Sequence, residues 1–263
     1  MKMIHQECTM AAQDLGMRPA LPGRPCRIPG TMAAHFVSAI VPTLDEEGWI
    51  QTSLWSLREG GADEVIVVDG GSADGTVEIA RQLADRVVAA PGGLFAQLNA
   101  GAGEATGDVL LFHYADVTFP ARGKGAITRV LEDPAVSGGA FSLALRSARA
   151  RYKLVALLAN ARNRLRIGPF GDQSIFARAG VFRKLGGFSA GAFLPDLDLV
   201  RRLRREGRFR LLEERVLASV RRWEKNGFLA TATTHAWLTF LGASGLGRKA
   251  ESEDAVRDLR QVR

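Results

Sequence analysis

The chain has 263 residues, which is enough for one large domain or two modest ones. Hydrophobic residues make up 46% of it and charged residues 24%, which excludes a wholly disordered protein and predicts a sizeable core. Lys and Arg exceed Asp and Glu by 35 − 28 = 7, so the net positive charge favours anionic partners such as nucleotides, phosphates, acidic lipid or nucleic acid.

Both cysteines, Cys8 and Cys26, lie in the N-terminal segment, where they cannot build a disulfide framework or a cysteine-based metal site. Residues 1–34 also carry four prolines and lack the continuous apolar run of a signal peptide. We therefore predict a flexible, dispensable extension over residues 1–34 and a reducing, cytoplasmic setting.

Short β-branched runs alternate with helical patterns through the first half of the chain. Strands are predicted at His35–Pro42, Glu64–Asp69, Arg86–Ala90 and Asp108–Phe112, with helices that begin at Asp45 or Glu46, after Gly75, and at Leu94. Strands and helices that alternate in such short units predict a doubly wound parallel sheet. Nucleotides bind such sheets at the carboxyl ends of the strands, which is where Thr43, Asp69 and Asp116 fall.

The second half of the chain has a less regular pattern. Further strands are predicted at Ala135–Leu145, behind a bend at Gly138–Gly139, and at Phe209–Leu212 and Val216–Val220, with a helix from Pro195. Because no linker composition follows residue 35, we predict a single domain over 35–225 and a helical C-terminal segment over 226–263. The apolar stretch 228–246 is too polar at its centre to predict a membrane span, but it could lie on a membrane surface.

Asp69 directly follows a buried strand, where its carboxylate could accept a hydrogen bond from a nucleobase or a sugar. Gly70 and Gly71 would let the backbone approach a ligand closely. The alternative is that Asp69 caps the next helix. Ser72 and Asp74 are better placed for capping, which favours a ligand contact for Asp69.

Two further carboxylate positions could carry chemistry. Asp116 ends the fourth strand, where a carboxylate can hold Mg²⁺ or Mn²⁺ and bridge it to a diphosphate, although a single Asp is also common in turns. Asp196 and Asp198 lie at a predicted helix start, where the helix dipole stabilises negative charge. One of them could be a general base for an acceptor hydroxyl; the alternative is a cap and a surface acid paired with Arg201 or Arg202.

Seven short motifs follow one another between about residues 36 and 225. They are Ser38–Glu47, Val67–Thr76, Asn99–Gly101, Gly107–Phe112, Gly171–Phe176, Leu185–Phe188 and Arg221–Trp223. This ordered set resembles the family-2 nucleotide-sugar glycosyltransferases of GT-A fold. The Gly171–Gln173 and Arg221–Trp223 segments are most similar to the bacterial arsenosugar-biosynthesis, radical-SAM/selenodomain-associated subfamily. The resemblance implies an α/β, Rossmann-like GT-A domain with a mixed, mainly parallel sheet flanked by helices.

The resemblance also implies an inverting sugar transfer from a UDP- or GDP-linked donor to an acceptor hydroxyl. Asp116 would hold Mn²⁺ or Mg²⁺ on the diphosphate, Asp196 would be the catalytic base, and Asp69 would bind the nucleobase. Arg222 or Lys225 would help to offset charge on the leaving group. The other residues that the resemblance assigns to nucleotide-sugar binding are Pro42, Thr43, Glu46, Gly71, Asn99, Tyr114, Asp172, Gln173 and Trp223.

The sequence departs from the family pattern at four positions. Tyr114 stands where the first metal-binding acid would be, and Val117 replaces a polar residue after Asp116. Gly70 replaces a second acid, and Pro195 replaces the Glu that usually precedes the base. We therefore expect the metal to bind less tightly than in a member with the complete motif.

Two other classes of function stay open. A nucleotidyltransferase is one, although the glycine-rich, Arg- or Lys-bearing loop that it needs after the first strand is replaced by a Pro-Thr-Leu-Asp segment. A catalytically weak protein that binds anionic lipid or nucleic acid through the arginines of 146–166 and 201–210 is the other. The same basic stretch could support peripheral contact with the inner membrane surface.

Overall fold

The structure, a computed structural model, describes residues 35–164, 167–189, 192 and 194–244. The predicted extension over 1–34 lies outside the described residues, as does the end of the predicted C-terminal segment.

The first half of the described chain forms the predicted parallel sheet. Its elements are β1 (Val37–Thr43), α1 (Glu47–Glu59), β2 (Glu64–Asp69), α2 (Thr76–Leu83), β3 (Arg86–Ala89), α3 (Leu94–Glu104) and β4 (Val109–Phe112). Strands β3, β2, β1 and β4 are neighbours in that order and are all parallel. The four strand predictions are therefore confirmed to within a residue or two.

The second half extends this sheet with strands of both directions. Its elements are β5 (Val117–Thr118), α4 (Gly123–Leu131), β6 (Val136–Leu145), α5 (Ala150–Arg164), a 3₁₀ turn (Gly171–Gln173), β7 (Phe176–Arg178), α6 (Ala179–Lys184), α7 (Pro195–Glu206), β8 (Arg208–Ala218), α8 (Arg221–Lys225) and α9 (Phe228–Ser244). The sheet order is β3-β2-β1-β4-β7-β6-β8-β5, with β7 antiparallel to both neighbours and β5 antiparallel to β8. The prediction of a mixed, mainly parallel α/β sheet is confirmed.

The sheet separates two apolar layers, because successive side chains of a strand point to opposite faces. Ala39 and Val41 of β1 pack with Leu54 of α1 on one face. Ile40, between them, packs with Leu98 of α3 on the other. Both faces of the central strands are covered, which is why these strands read as continuous apolar runs.

Two sequence predictions for the second half were wrong. Gly138 and Gly139 lie inside β6 rather than at a bend, and a Cβ on either would come closer than 3.0 Å to the backbone oxygen of a neighbouring strand. Glycine is needed there because the strands approach closely. The two predicted strands 209–212 and 216–220 are one strand, β8, whose pairing with β6 skips Glu213 and Glu214 in a bulge.

Within the described residues, no helix combines the length and the apolar character that are needed to cross a membrane.

Candidate active site

The loops after β1 and β2 are joined by hydrogen bonds into one rim at the carboxyl edge of the sheet. The Asp45 amide donates to Ser72 Oγ over 2.9 Å, and the Ala73 amide donates back to Asp45 Oδ1 over 2.8 Å. The Glu46 amide donates to Thr76 Oγ1 over 2.7 Å. These bonds fix the backbone that carries the Glu46 side chain.

Asp69 is held by its own loop. Its Oδ2 accepts hydrogen bonds from the amides of Gly71 and Ser72 at 2.9 and 3.0 Å, and its Oδ1 accepts one from Ser72 Oγ at 2.5 Å. Thr43 Oγ1 lies 3.3 Å from the same Oδ1. Asp69 does not cap α2, which begins at Thr76 and whose first amide donates to Asp74 Oδ1 over 3.0 Å.

The charge of Asp69 is stabilised by these donors. Burial acts to raise the pKa of Asp69, but the hydrogen bonds from Ser72, Gly71 and Thr43 outweigh it and hold the pKa below its ordinary value. Pro42 precedes this rim inside β1, where it is buried opposite Val68.

Arg221, at the start of α8, joins two predicted site acids. Its Nε lies 3.2 Å from Asp116 Oδ2, and its Nη2 forms a short hydrogen bond with Glu46 Oε1. The guanidinium carbon also lies 5.8 Å from the centre of the Trp49 ring. A single guanidinium from the second half of the chain therefore contacts two carboxylates from the first half.

The pKa values of Glu46 and Arg221 both differ from their ordinary values. Burial raises the pKa of Glu46 above its ordinary value, against the hydrogen bond and charge of Arg221, and Glu46 Oε2 is buried with no hydrogen-bond partner among the described residues. Burial would lower the pKa of Arg221, but Glu46 and Asp116 outweigh it and raise that pKa.

The 3₁₀ turn brings a second pair of acids to the same edge. Asp196, buried at the N-terminal end of α7, accepts a hydrogen bond from the Gly171 amide over 3.2 Å. Asp172 is the next residue of that turn. The Tyr114 hydroxyl lies against Gly171, where any side chain would collide with it.

The other charged groups of this edge act on the pKa of Asp172. Burial raises the pKa of Asp172 above its ordinary value; the positive charges of Arg162 and Arg222 oppose that shift, and the negative charges of Asp196 and Asp116 add to it. Its Oδ1 is buried and has no hydrogen-bond partner among the described residues.

The other two residues of the Arg-Arg-Trp motif, Arg222 and Trp223, differ in their exposure. Arg222 is exposed, and its charge acts on both Glu46 and Asp172. Trp223 is buried, with its ring stacked on that of His235 at 5.2 Å between centres. Trp223 therefore anchors α8 to α9.

Three other residues considered from the sequence are held by contacts of their own. Asn99 forms two hydrogen bonds of 2.9 Å with the backbone of Phe188. Gln173 is fully buried and bonds the Phe141 carbonyl and the Asn163 amide. Asp198 pairs with Arg202 Nε over 2.8 Å and accepts from Ser189 Oγ over 3.1 Å, as in the alternative of a surface ion pair.

The sequence analysis assigned a role in the site to Arg222 and none to its neighbour Arg221. Both belong to the same motif, and a sequence does not tell which of two adjacent arginines faces the acids. Gln97 was missed as well: its Nε2 donates to the carbonyls of Thr43 and Val68 at 2.8 and 3.1 Å, so it ties the ends of β1 and β2 together.

The acids at this edge have the donor chemistry of a Mn²⁺ or Mg²⁺ site. Among the described residues, no cluster of three or more His, Cys, Asp or Glu side chains is arranged to hold a metal. Asp116 and Glu46 supply two carboxylates around one cationic group, and Glu46 Oε2 is an orphaned buried oxygen. Mg²⁺ is commonly held by one or two carboxylates plus substrate phosphates, so this pair fits a metal that binds together with a diphosphate.

Residues 38–158 match the family described as glycosyl transferase family 2. No curated protein sequence matches the chain.

Several solved structures share the fold. The mannosyltransferase PcManGT from Pyrobaculum calidifontis, solved with GDP-Man and Mn²⁺, is 22% identical over 82% of this chain and 66% of its own, with a TM-score of 0.57. TarS 1–349 from S. aureus, solved with UDP-GlcNAc, is 18% identical over 70% of this chain and 58% of its own, with a TM-score of 0.52. Glucosyl-3-phosphoglycerate synthase from Mycobacterium tuberculosis, solved with Mn²⁺, UDP and glucosyl-3-phosphoglycerate, is 20% identical over 75% and 77%, also at 0.52.

The chain spans less than two thirds of the mannosyltransferase and of TarS, and at these identities the likeness establishes the GT-A fold alone. Residues 38–158 are therefore similar to the glycosyltransferases of family 2, and the described chain shares the fold of the solved glycosyltransferases.

Proposed function

We propose that this protein transfers a sugar from a UDP- or GDP-linked donor to an acceptor hydroxyl, with inversion at the anomeric carbon. The observation that carries this proposal is the convergence of Glu46, Asp116, Asp172 and Asp196 with Arg221 at the carboxyl edge of the sheet. We propose further that the chain belongs to the arsenosugar and selenodomain-associated subfamily, on its Gly-Asp-Gln and Arg-Arg-Trp motifs.

In this proposal the rim formed by the loops after β1 and β2 receives the nucleoside. Thr43 and Asp69 lie at its base, and the Gly71 backbone has a φ of 107°, a conformation that favours glycine. Asp69 keeps its charge there because of its lowered pKa. The exposed Arg222 adds positive charge for the diphosphate.

Asp196 is the proposed base. The N-terminus of α7 and the Gly171 amide both stabilise its negative charge, so it is ready to accept a proton. It would take the proton of the acceptor hydroxyl while that oxygen bonds to the anomeric carbon. The bond from that carbon to the diphosphate oxygen breaks at the opposite face, and the nucleoside diphosphate leaves with the bonding electrons.

Asp116, with Glu46 beside it, would hold the divalent metal. When bound, Mn²⁺ or Mg²⁺ would neutralise charge that develops on the departing diphosphate. The guanidinium of Arg222 would add to that neutralisation from the protein side.

The donor site is tested by calorimetric titration of UDP and GDP, with and without Mn²⁺, on the wild type and on Asp116→Asn. We expect one nucleotide to bind in a metal-dependent way, and that dependence to disappear in the variant. Asp133→Asn is the matched control, because Asp133 pairs with Arg208 and Arg210 at the opposite end of the sheet. Absence of nucleotide binding under every condition would contradict the proposal.

The base is tested by Asp196→Asn, which keeps the size of the side chain and its acceptor for the Gly171 amide. We expect nucleotide affinity to be preserved and turnover of the donor that binds to fall about 10²- to 10⁴-fold, the usual contribution of a general base. Asp198→Asn, on the same helix turn, should leave turnover nearly unchanged. Equal losses in the two variants would rule out Asp196 as the base.

We also propose that the protein works in the cytoplasm, at the inner membrane surface. Leu154, Leu157 and Leu158 of α5 are exposed, as are Trp237 and Phe240 of α9, and in this proposal they form one apolar face, the α5–α9 face. Arg149, Arg151 and Lys153 precede these leucines and would attract anionic headgroups.

A further inference from the structure

Two carboxylates that face the same small region repel each other unless a cation lies between them. Asp116 lies in the turn between β4 and β5, Glu46 directly precedes α1, and the folded chain brings both to Arg221. The cation that compensates them is therefore part of the protein.

Arg221 is held in this position from three sides. It bonds Asp116 through Nε and Glu46 through Nη2, and its guanidinium lies over the Trp49 ring. Its side chain is 37% exposed, against 19% for Asp116 and 15% for Glu46, so it reaches the acids from the solvent side. A side chain in that position can leave without disturbing the core.

We propose that Arg221 is a gate for the divalent metal: it occupies the carboxylates of Asp116 and Glu46 while no donor is bound, and it yields them when the metal arrives with the diphosphate. This inference rests on the proposed donor site. Displaced from the acids, the guanidinium remains close enough to the edge to pair with phosphate oxygens, which it binds in a bidentate way. The metal and the nucleotide then bind cooperatively, and free metal binds poorly by itself.

The gate is tested by titrating Mn²⁺ into the nucleotide-free protein and following free Mn²⁺ by electron paramagnetic resonance. In Arg221→Gln we expect Mn²⁺ to bind about tenfold more tightly than in the wild type, which corresponds to the loss of one competing charge-assisted hydrogen bond. Arg221→Lys keeps the charge but bonds only one acid well, so the Mn²⁺ affinity of this variant should lie between those of the wild type and Arg221→Gln. Arg81→Gln, an exposed arginine of α2, is the control for the change in net charge.

The same titration is repeated with saturating UDP or GDP. Because linkage is reciprocal, removing the gate should reduce the factor by which nucleotide tightens Mn²⁺ binding. In an Asp116→Asn background, Arg221→Gln should no longer raise the affinity of the protein for Mn²⁺. Equal Mn²⁺ affinity in Arg221→Gln, Arg221→Lys and wild type would overturn the gate, whereas wild type that binds no Mn²⁺ even with nucleotide would overturn the proposed donor site itself.

Discussion

His113 lies one residue before Tyr114 and is fully buried behind the site. Its Nε2 lies 3.0 Å from the Val117 carbonyl, which can only accept, so Nε2 carries the proton. Its Nδ1 then accepts from Ser174 Oγ at 2.7 Å. A neutral imidazole with a defined tautomer thus connects the end of β4 to the turn that carries Asp172.

His113 predicts an acid-sensitive fold. Burial lowers the pKa of His113 to about 4, from 6.5. The unfolded chain therefore binds more protons between these values, so stability is present above pH 6.5 and is lost as the pH falls toward 4. Relative to His113→Gln, the wild type should lose about 2–3 kcal/mol of unfolding free energy between pH 7 and 4.5.

Urea unfolding of both proteins across this pH range measures the effect. The two stability curves should converge toward acid pH, because the variant lacks the titrating group. Parallel curves would mean that His113 titrates alike in the folded and unfolded chains.

At the scale of elements, the glycines of β6 let β7 and β8 lie close enough to present the 3₁₀ turn and α8 at one edge. A Cβ on Gly138 would meet the Phe176 carbonyl, which belongs to the backbone and cannot rotate away. Neighbouring strands would have to separate, and the contacts on both sides of β6 would weaken.

We therefore expect Gly138→Ala to lower the free energy of unfolding by about 2 kcal/mol or more, the usual cost of overpacking. Gly125→Ala in α4 is the matched control, because beyond the backbone of its own helix and its two chain neighbours nothing lies within 4 Å of its added Cβ. Since alanine favours a helix over glycine, this control should raise stability by about 0.5–1 kcal/mol. Denaturant unfolding of both variants measures these free energies. If both variants changed the free energy of unfolding in the same direction, the close approach of the strands at Gly138 would be contradicted.

At the scale of the whole molecule, α5 has apolar residues on two opposite sides. Tyr152 and Ala156 are buried in the fold, while Leu154 and Leu157 on the other side are exposed. The Tyr152 and Phe228 rings, 5.8 Å apart, bring the start of α5 to the start of α9, which supports the proposal that the exposed residues of the two helices form one surface. An apolar surface beside basic residues suits an anionic bilayer.

The α5–α9 face predicts sedimentation with vesicles that contain phosphatidylglycerol. Trp237→Gln should weaken this binding roughly tenfold, the effect of losing one buried large side chain. Trp55→Gln is the control, because Trp55 and Trp237 are each 57% exposed and Trp55 belongs to α1. Equal effects of the two variants would contradict a role for this face, and concentration-dependent dimers in place of vesicle binding would assign it to self-association.

The sequence by itself determined the α/β class, the parallel half of the sheet and the edge at which the acids gather. Those features follow from local patterns. β-branched runs predict β1 and β2, and because consecutive strands are parallel, their carboxyl ends lie at the same edge of the sheet. Strands of this kind were recognised because both of their faces are buried.

Only the tertiary structure decided which charged side chains meet. Arg221 is 175 residues from Glu46 and 105 from Asp116 along the chain, so no local pattern distinguishes it from Arg222. The same holds for the bulge of β8, since strand register is set by contacts between distant segments. Local propensity establishes where elements lie, and packing selects the partners of each polar group.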